Sequence, residues 1–479
     1  MSWIDIATRA VVWFNYFVLV YFLLLNTLYL GLFLVSLVEI VRFLRRTFFS
    51  DYRQIMQSDM TWPISILVPA HDEEKTIAET VRSLLMVNYG EFEVIVVNDG
   101  SKDGTLARLV EAFELRRIDR PYKRSLPTRE VRGVYGSLLH ANLRVIDKVK
   151  GGKSDALNAG INLSRYPLYC SIDADSIIEE NALLRVVKPF MEHPQETVAV
   201  GGIVRIANGC EVRDGKVVRV ELPDRPLAIF QVIEYLRAFL TGRVGWSVLR
   251  SLLIISGAFG VYRKQDVIDV GGYSLNTDTE DLELVVRLHE HMRRHKRRYR
   301  VVFVPDPVCW TEIPNSVRVL ARQRNRWHRG LVQTLWAHRS MMLNPRYGGI
   351  GLFAFPYFVC FEMLGPFVET LGYVVVLLSF FLGVLDLQFL LLFVAAAGLY
   401  GIFLSVSAVL LEEMSFRRYP SWVDLTKLLV FAVLENLGYR QMLAFFKVRA
   451  FLDVVRRRRT WGRMDRSGFG EPLPASADR

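Results

Sequence analysis

Hydrophobic and polar positions are distributed along this chain on two length scales. On the long scale, three apolar runs stand out, at residues 11–38, 350–384 and 387–411. Each supplies the ~20 apolar residues that a membrane-spanning helix needs. Between about 60 and 345 the pattern becomes finer. "ISILVPAHDEE" opens with β-branched residues at 64–68, a strand that Pro69 is expected to end. Asp72, Glu73 and Glu74 then sit where a helix should start, because negative charge suits the helix N-terminus. "IAETVRSLL" continues with apolar residues at helical spacing. "FEVIVVNDGSKDGT" repeats the plan: a strand at 93–97, a turn at Asn98-Asp99-Gly100-Ser101, then a helix. Such alternation predicts a parallel sheet with right-handed crossovers, whose ligands bind at the carboxyl ends of the strands. A further strand, 167–172, leads into "DADS". The polar, Arg-rich stretch 115–137, with Pro121 and Pro127, is predicted to be a long loop beside the site or disordered.

Composition turns this pattern into a class. At 51% hydrophobic over 479 residues, the chain is too apolar for an ordinary soluble protein and too polar for a channel made only of helices. It reads as a membrane protein carrying one large α/β domain. The N-terminal run is too long for a signal peptide and lacks a small-residue cleavage site. The expected division is an N-terminal membrane helix and basic linker (1–59), a globular domain (60–330), interfacial and transmembrane helices (331–455) and a basic tail (456–479).

The net charge of +11 gathers beside the apolar runs, at Arg42, Arg45, Arg46 and Arg53 and at Arg456–Arg459. The positive-inside rule places those flanks, and the domain that follows the first of them, in the cytoplasm. Arginines facing anionic lipid explain the charge at less cost than a nucleic-acid partner does, so no nucleic acid is expected. A cytoplasmic tail requires an even number of C-terminal crossings, taken as about 366–385 and 387–411. Glu435, Asn436 and Arg440 then make 425–446 interfacial or re-entrant. Glu362 and Glu369 are acids within an apolar run and functional candidates by default. Either they line a polymer path or they sit in an interfacial helix broken at Pro366, the second being favoured for Glu362. The four cysteines are scattered, which fits a reducing compartment and no metal framework.

Candidate chemistry starts with Asp173 and Asp175. A D-x-D pair just past a strand can set two carboxylates on one hard cation, Mg2+ or Mn2+, which completes its shell with water and phosphates. Alone, such a pair is more often a solvated turn. "VKGGKSDALNAG" puts Lys153 and Asp155 at a helix start, where backbone amides and Lys153 can hold phosphate oxygens. "SGAFG" supplies Ser256, Gly257 and Gly260, small enough for a polymer or nucleotide to approach the backbone. Glu280 and Asp281 open an amphipathic helix, and a carboxylate there suits a general base. "QRNRW" brings Gln323, Arg326 and Trp327, a guanidinium for pyrophosphate and an indole for an aromatic floor. His289, His291 and His295 do not form a closed zinc set, and the arginines around them read as a solvated helix face.

Taken in order, "VPAHDEE", "VVNDGS", "KSDALNAG", "DAD", "SGAFG", "TED" and "QRNRW" resemble the family 2 glycosyltransferases, over roughly residues 62–330. More narrowly they resemble the membrane-embedded synthases of cellulose, hyaluronan and poly-N-acetylglucosamine. The resemblance implies a cytoplasmic GT-A-like α/β domain, with a mixed, mostly parallel sheet, flanked by transmembrane and interfacial helices of a bacterial inner membrane. It implies an inverting, processive enzyme that polymerises a β-linked polysaccharide from a UDP-sugar and passes it across the bilayer. Asp99 would bind the uracil side of the donor. Asp173 would contact the nucleotide and, with Asp175, hold the metal. Asp281 would be the base, and Gln323, Arg326 and Trp327 would serve acceptor and pyrophosphate. Lys153 joins the donor set, and Ser256, Gly257 and Glu280 the acceptor set. Besides the growing polysaccharide, secretion or accessory subunits are candidate partners. Asp155 departs from the pattern, since several polymer synthases carry a glycine there, which bears on the sugar. Two alternatives stand beside this reading: single addition to a lipid or short acceptor, and a non-catalytic nucleotide-sugar-binding secretion subunit.

Overall fold

The computed structural model describes residues 3–47, 61–119, 121–213, 215–381, 383–384, 386–419 and 421–456. Arg53 and Arg457–Arg459 of the basic flanks lie outside them. The described chain divides into two compact units. One takes residues up to 45, Asp224–Ser251 and everything from 314 onward; the other takes 61–223 and Leu252–Ile313. The sequence pattern had assigned 224–251 and 314–330 to the globular domain. The structure groups these two stretches with the apolar helices instead.

Among the described residues the α/β unit is built on twelve strands: β1 (Ile64–Ala70), β2 (Phe92–Asp99), β3 (Leu115–Ile118), β4 (Val131–Ser137), β5 (Leu143–Lys148), β6 (Leu168–Ile172), β7 (Ser176–Ile178), β8 (Thr197–Ile206), β9 (Glu211–Arg213), β10 (Lys216–Arg219), β11 (Phe259–Arg263) and β12 (Arg300–Thr311). β9 and β10 make a separate hairpin, and the others form one sheet in the order β3-β4-β5-β2-β1-β6-β11-β8-β12-β7. Relative to β1, the strands β2, β3, β5, β6, β8 and β12 run the same way and β4, β7 and β11 the other. The sheet is mixed and mostly parallel in direction.

Its centre is dry. Ile64, Ile66, Leu67 and Val68 of β1 are fully buried, each side chain contributing roughly 1.5–3 kcal/mol relative to exposure. The helix Lys153–Leu163 covers β1 and β2 and is buried from Asp155 to its end. Successive residues of β1 point to opposite faces and are buried on both, which is what lets parallel strands read as continuous apolar runs.

Three local expectations change. β1 runs through Pro69 to Ala70, still in register with Val97 and Asn98. Asp72, Glu73 and Glu74 do not open a helix; the helix is Ile77–Leu85, and Glu74 instead accepts from Gly104 N–H at 3.1 Å. The Arg-rich stretch contains β3 and β4, an antiparallel pair at the sheet edge. Charged and polar residues disguise an edge strand, and the same charges discourage pairing with another chain.

Among the described residues, three helical stretches are long and apolar enough to cross a membrane: Thr8–Arg46, Leu387–Ser415 and Trp422–Val455. A fourth arises if Ile350–Met363 and Gly365–Phe381, bent by 41°, count as one. The last of the three carries non-helical Leu437 and Gly438. Polar side chains knit these helices: Asn15 donates to Ser379 Oγ (3.0 Å) and Asn26 to the Ala396 carbonyl (2.7 Å). Glu435 is fully buried and paired with Arg237 and Arg440, as buried acids among such helices must be. Glu362 accepts from Tyr29 at 3.2 Å, just before the bend.

Candidate active site

The carboxyl ends of β2 and β6 carry Asp99 and Asp173, as the strand pattern predicts. Ser176 N–H bonds to the Asp173 carbonyl (3.1 Å), and Thr80 Oγ1 donates to the Ala174 carbonyl (2.8 Å), so the D-x-D turn is pinned from both sides. Asp175 is buried, while the Asp173 side chain is 30% exposed.

Lys153 gathers the site. Its Nζ lies 2.6 Å from Asp173 Oδ1, 2.9 Å from Glu280 Oε1 and 3.2 Å from the Gly257 carbonyl. Four motifs distant in sequence thereby meet at one ammonium. Gly257 N–H donates to Asp281 Oδ2 (2.7 Å) and Leu282 N–H to Asp281 Oδ1 (2.8 Å), which fixes the plane of that carboxylate. The contact also explains the glycine. A Cβ on Gly257 would stand 3.0 Å from Lys153 Nζ, 3.2 Å from Asp281 Oδ2 and 3.4 Å from Glu280 Oε1. Ser256 Oγ accepts from Ala258 N–H, whose carbonyl in turn accepts from Asp173 N–H, both at 3.4 Å. Ser256, Gly257, Lys153, Asp173, Asp175, Glu280 and Asp281 are thus one cluster.

Electrostatics follow from this crowding. Burial raises the Asp281 pKa first, and neighbouring Glu280 adds to it; Lys153 and the two backbone N–H groups pull against both, and the net shift is upward. Asp173 is also raised, by burial and then by Asp175, with Lys153 opposing. Burial disfavours the Lys153 charge, but Asp173, Glu280 and Asp281 outweigh it and the pKa rises. The ammonium is therefore held charged, while Asp281 is a stronger base than an ordinary aspartate.

Asp99 sits apart from that set, 3% exposed. Its carboxylate accepts from Lys148 Nζ (2.6 Å), Gly151 N–H (2.8 Å) and Gly152 N–H (2.7 Å). Sequence reasoning passed over Lys148, since a lone lysine at a strand end reads as solvent-facing; it is fully buried.

Gln323, Arg326 and Trp327 lie on the helix Val317–Ala337 of the other unit. Gln323 is buried and Trp327 is 37% exposed. Gln323 Oε1 and Arg326 Nε have no hydrogen-bond partner among the described residues, so both retain capacity for a ligand. Arg324, a spacer in the motif, is buried; it stacks on the Trp327 ring at 4.2 Å and pairs with Glu234 at 2.8 Å. Tyr439 also donates to Glu234 (2.9 Å). The indole thus rests on a guanidinium that is itself fixed. His289 is occupied otherwise: its ring contacts Tyr299 Oη (2.8 Å) and the Leu252 carbonyl (2.7 Å), and burial lowers its pKa to about 4.

The donor set at the D-x-D turn is all oxygen. Among the described residues no group of three or more His, Cys, Asp or Glu side chains gathers as a metal cage. Two carboxylates on one turn suit a hard cation that draws its other ligands from water and phosphates, so the donor chemistry of Asp173 and Asp175 fits the divalent ion expected from the sequence.

The family model for "Glycosyl transferase family 2" matches residues 65–232, and that for "Glycosyl transferase family group 2" matches 170–404. The chain is 27% identical over 279 residues to a poly-beta-1,6-N-acetyl-D-glucosamine synthase of Staphylococcus epidermidis, 57% of each protein. It is 27% identical over 267 residues to the synthase of the same name from Staphylococcus aureus strain COL, 56% of this chain and 54% of that protein. The matched stretch thus spans a little over half the length of these curated relatives. Among solved structures, a mannosyltransferase from Pyrobaculum calidifontis in complex with GDP-mannose and Mn2+ aligns over 86% of this chain and 99% of its own, with TM-score 0.49 and 19% identity.

Proposed function

The chain belongs to the family 2 glycosyltransferases, and from that premise we propose that it is an inverting, processive synthase. It polymerises a β-linked polysaccharide from a UDP-sugar at the cytoplasmic face of a bacterial inner membrane and passes the product through its own helices. The curated relatives are named for poly-beta-1,6-N-acetyl-D-glucosamine, which makes UDP-N-acetylglucosamine the first donor to test. The single observation that carries the reading is the convergence of Asp173, Glu280 and Gly257 on Lys153, with Asp281 locked beside them.

The chemistry needs a proton removed from a weak nucleophile and negative charge stabilised on a leaving diphosphate. Asp281 takes the proton from the acceptor hydroxyl; its raised pKa suits that work, and its two backbone hydrogen bonds hold it in one orientation. Lys153, kept charged by three acids, neutralises a diphosphate oxygen. Asp173 and Asp175 would hold Mg2+ or Mn2+, which when bound adds positive charge at the diphosphate. Ser256 and Gly257 leave room for the acceptor sugar, while Gln323 and Arg326 offer unpaired polar atoms and Trp327 a supported aromatic face.

Asp281→Asn tests this division of labour. The amide keeps size and polarity but cannot accept the proton. UDP affinity by calorimetry should stay near normal while transfer falls ~10²- to 10⁴-fold. Loss of UDP binding in that variant, with wild-type binding intact, would place Asp281 on the donor and overturn its role as base.

A further inference from the structure

We propose that Asn158 and Arg287 are positioning residues. By clamping one loop from two sides, they set the spacing between Lys153, on the donor side of the site, and Glu280 and Asp281, on the acceptor side. The proposal rests on the reading above for what those two sides do. Both residues act through others.

The loop is residues 270–273. Asn158 reaches it from the helix Lys153–Leu163. Its Nδ2 donates to the Tyr273 carbonyl (3.0 Å) while its Oδ1 accepts from Tyr273 N–H (2.8 Å). A side-chain amide that pairs with both backbone groups of one residue has a single orientation, and it fixes that residue as a neighbouring strand would. Arg287 reaches the loop from the helix Glu280–Arg294, donating from Nη1 to the Val270 carbonyl (2.7 Å) and from Nη2 to the Gly272 carbonyl (2.6 Å). The helix that begins at Lys153 and the helix that begins at Glu280 are thus braced through four residues of backbone. Gly272 makes room for this. It has φ +75°, and a Cβ there would stand 2.5 Å from Asn158 Oδ1. The Tyr273 ring adds a third tie: Tyr169 Oη donates to Tyr273 Oη (3.2 Å), and Tyr169 belongs to β6, which runs into Asp173. Asn158, Tyr169 and Tyr273 are all buried.

The direct contact between the two sides is ionic and partly exposed: Lys153 pairs with Glu280 as well as with Asp173. A donor diphosphate competes for that same ammonium, so the pair alone cannot hold the spacing while donor is bound. The brace uses none of these groups, and a diphosphate arriving at Lys153 leaves it intact. Such spacing governs rate, since a misplacement of ~1 Å can cost ~10²-fold. The start of the first helix is anchored separately, with Lys148 Nζ 2.6 Å from both Asp99 Oδ1 and Asp155 Oδ1. Loosening the brace therefore lets Glu280 and Asp281 drift while the donor side stays in place.

Two variants of the full-length protein in lipid test this. Asn158→Ala removes both bonds to Tyr273. Arg287→Lys keeps a charge beside Glu283 but cannot fork onto two carbonyls; it is the milder change and stays informative even if Asn158→Ala fails to fold. On protein whose melting curve shows it folded, UDP affinity is measured by calorimetry beside the transfer rate at saturating UDP-sugar and acceptor. Each change is then repeated in the Asp281→Asn background. UDP affinity should be unchanged and transfer should fall ~10- to 100-fold. In the Asp281→Asn background the same changes should cost little more, because residues that act as a unit are not additive. An equal fold loss with and without the Asp281 carboxylate would show that the brace does not work through the base and would overturn the proposal. So would a normal transfer rate in Arg287→Lys, or a loss of UDP affinity that accounts for the loss of transfer. Wild-type protein that transfers no sugar from any donor would instead sink the functional reading, and this proposal with it.

Discussion

Asp281 is held by two backbone N–H groups and crowded by Glu280 and Lys153. Its pKa is raised by burial first and by Glu280 second. A base works only when deprotonated, so transfer at saturating donor should rise with pH through the Asp281 pKa and fall away below it. Because the shift is upward, this acid limb should lie above the range of an ordinary aspartate. In Asp281→Asn the residual rate should lose the limb. A wild-type limb at or below the ordinary aspartate range would mean that Lys153 and the amides outweigh burial. The residue scale was only partly legible in the sequence. Asp173 and Asp175 announce themselves because both belong to one turn. The meeting of Asp173 with Lys153, Glu280 and Gly257 joins positions 153, 173, 257 and 280, and no local pattern carries such a contact. Lys148 was hidden for a different reason: nothing in its neighbours tells that two carboxylates will close over it.

Elements that are apolar on both faces, such as β1, β2 and β6, could be read directly, because burial in a parallel sheet writes itself as a continuous run. β3 and β4 were missed, since an edge strand keeps its charges and prolines flank it. The helix Val317–Ala337 shows a third case. Its polar motif was evident, but the support beneath Trp327 comes from Glu234 and Tyr439, which are remote in sequence. Glu234→Ala should free Arg324 and let the indole tilt. The expected result is a loss of stability of roughly 1.5–3 kcal/mol for each of the two charged hydrogen bonds removed, read as a lower melting temperature, together with shorter polymer and unchanged UDP affinity. Polymer of normal length from the destabilised variant would reduce Glu234 to a structural role.

At the scale of the whole molecule, the GT-A-like sheet and the apolar helices belong to one chain, and the reading requires the sheet to face the UDP-sugar pool. A cysteine introduced at Lys102, which is exposed in the turn after β2, should escape a membrane-impermeant thiol reagent in intact cells and react in opened ones. Labelling in intact cells would put the domain on the wrong side of the bilayer. The break at Leu437–Gly438 bears on the same topology, because it splits the last apolar helix into two shorter pieces. The central claim, polymer built from a nucleotide sugar, is tested most directly on purified protein in lipid. UDP-N-acetylglucosamine and a panel of other UDP-sugars are supplied with Mg2+ or Mn2+, and UDP release and product size are recorded together. The account predicts UDP release with at least one donor, a product of many sugars, and loss of both in EDTA. UDP release with a product extended by a single sugar would contradict processive synthesis, and no UDP release with any donor would contradict catalysis itself.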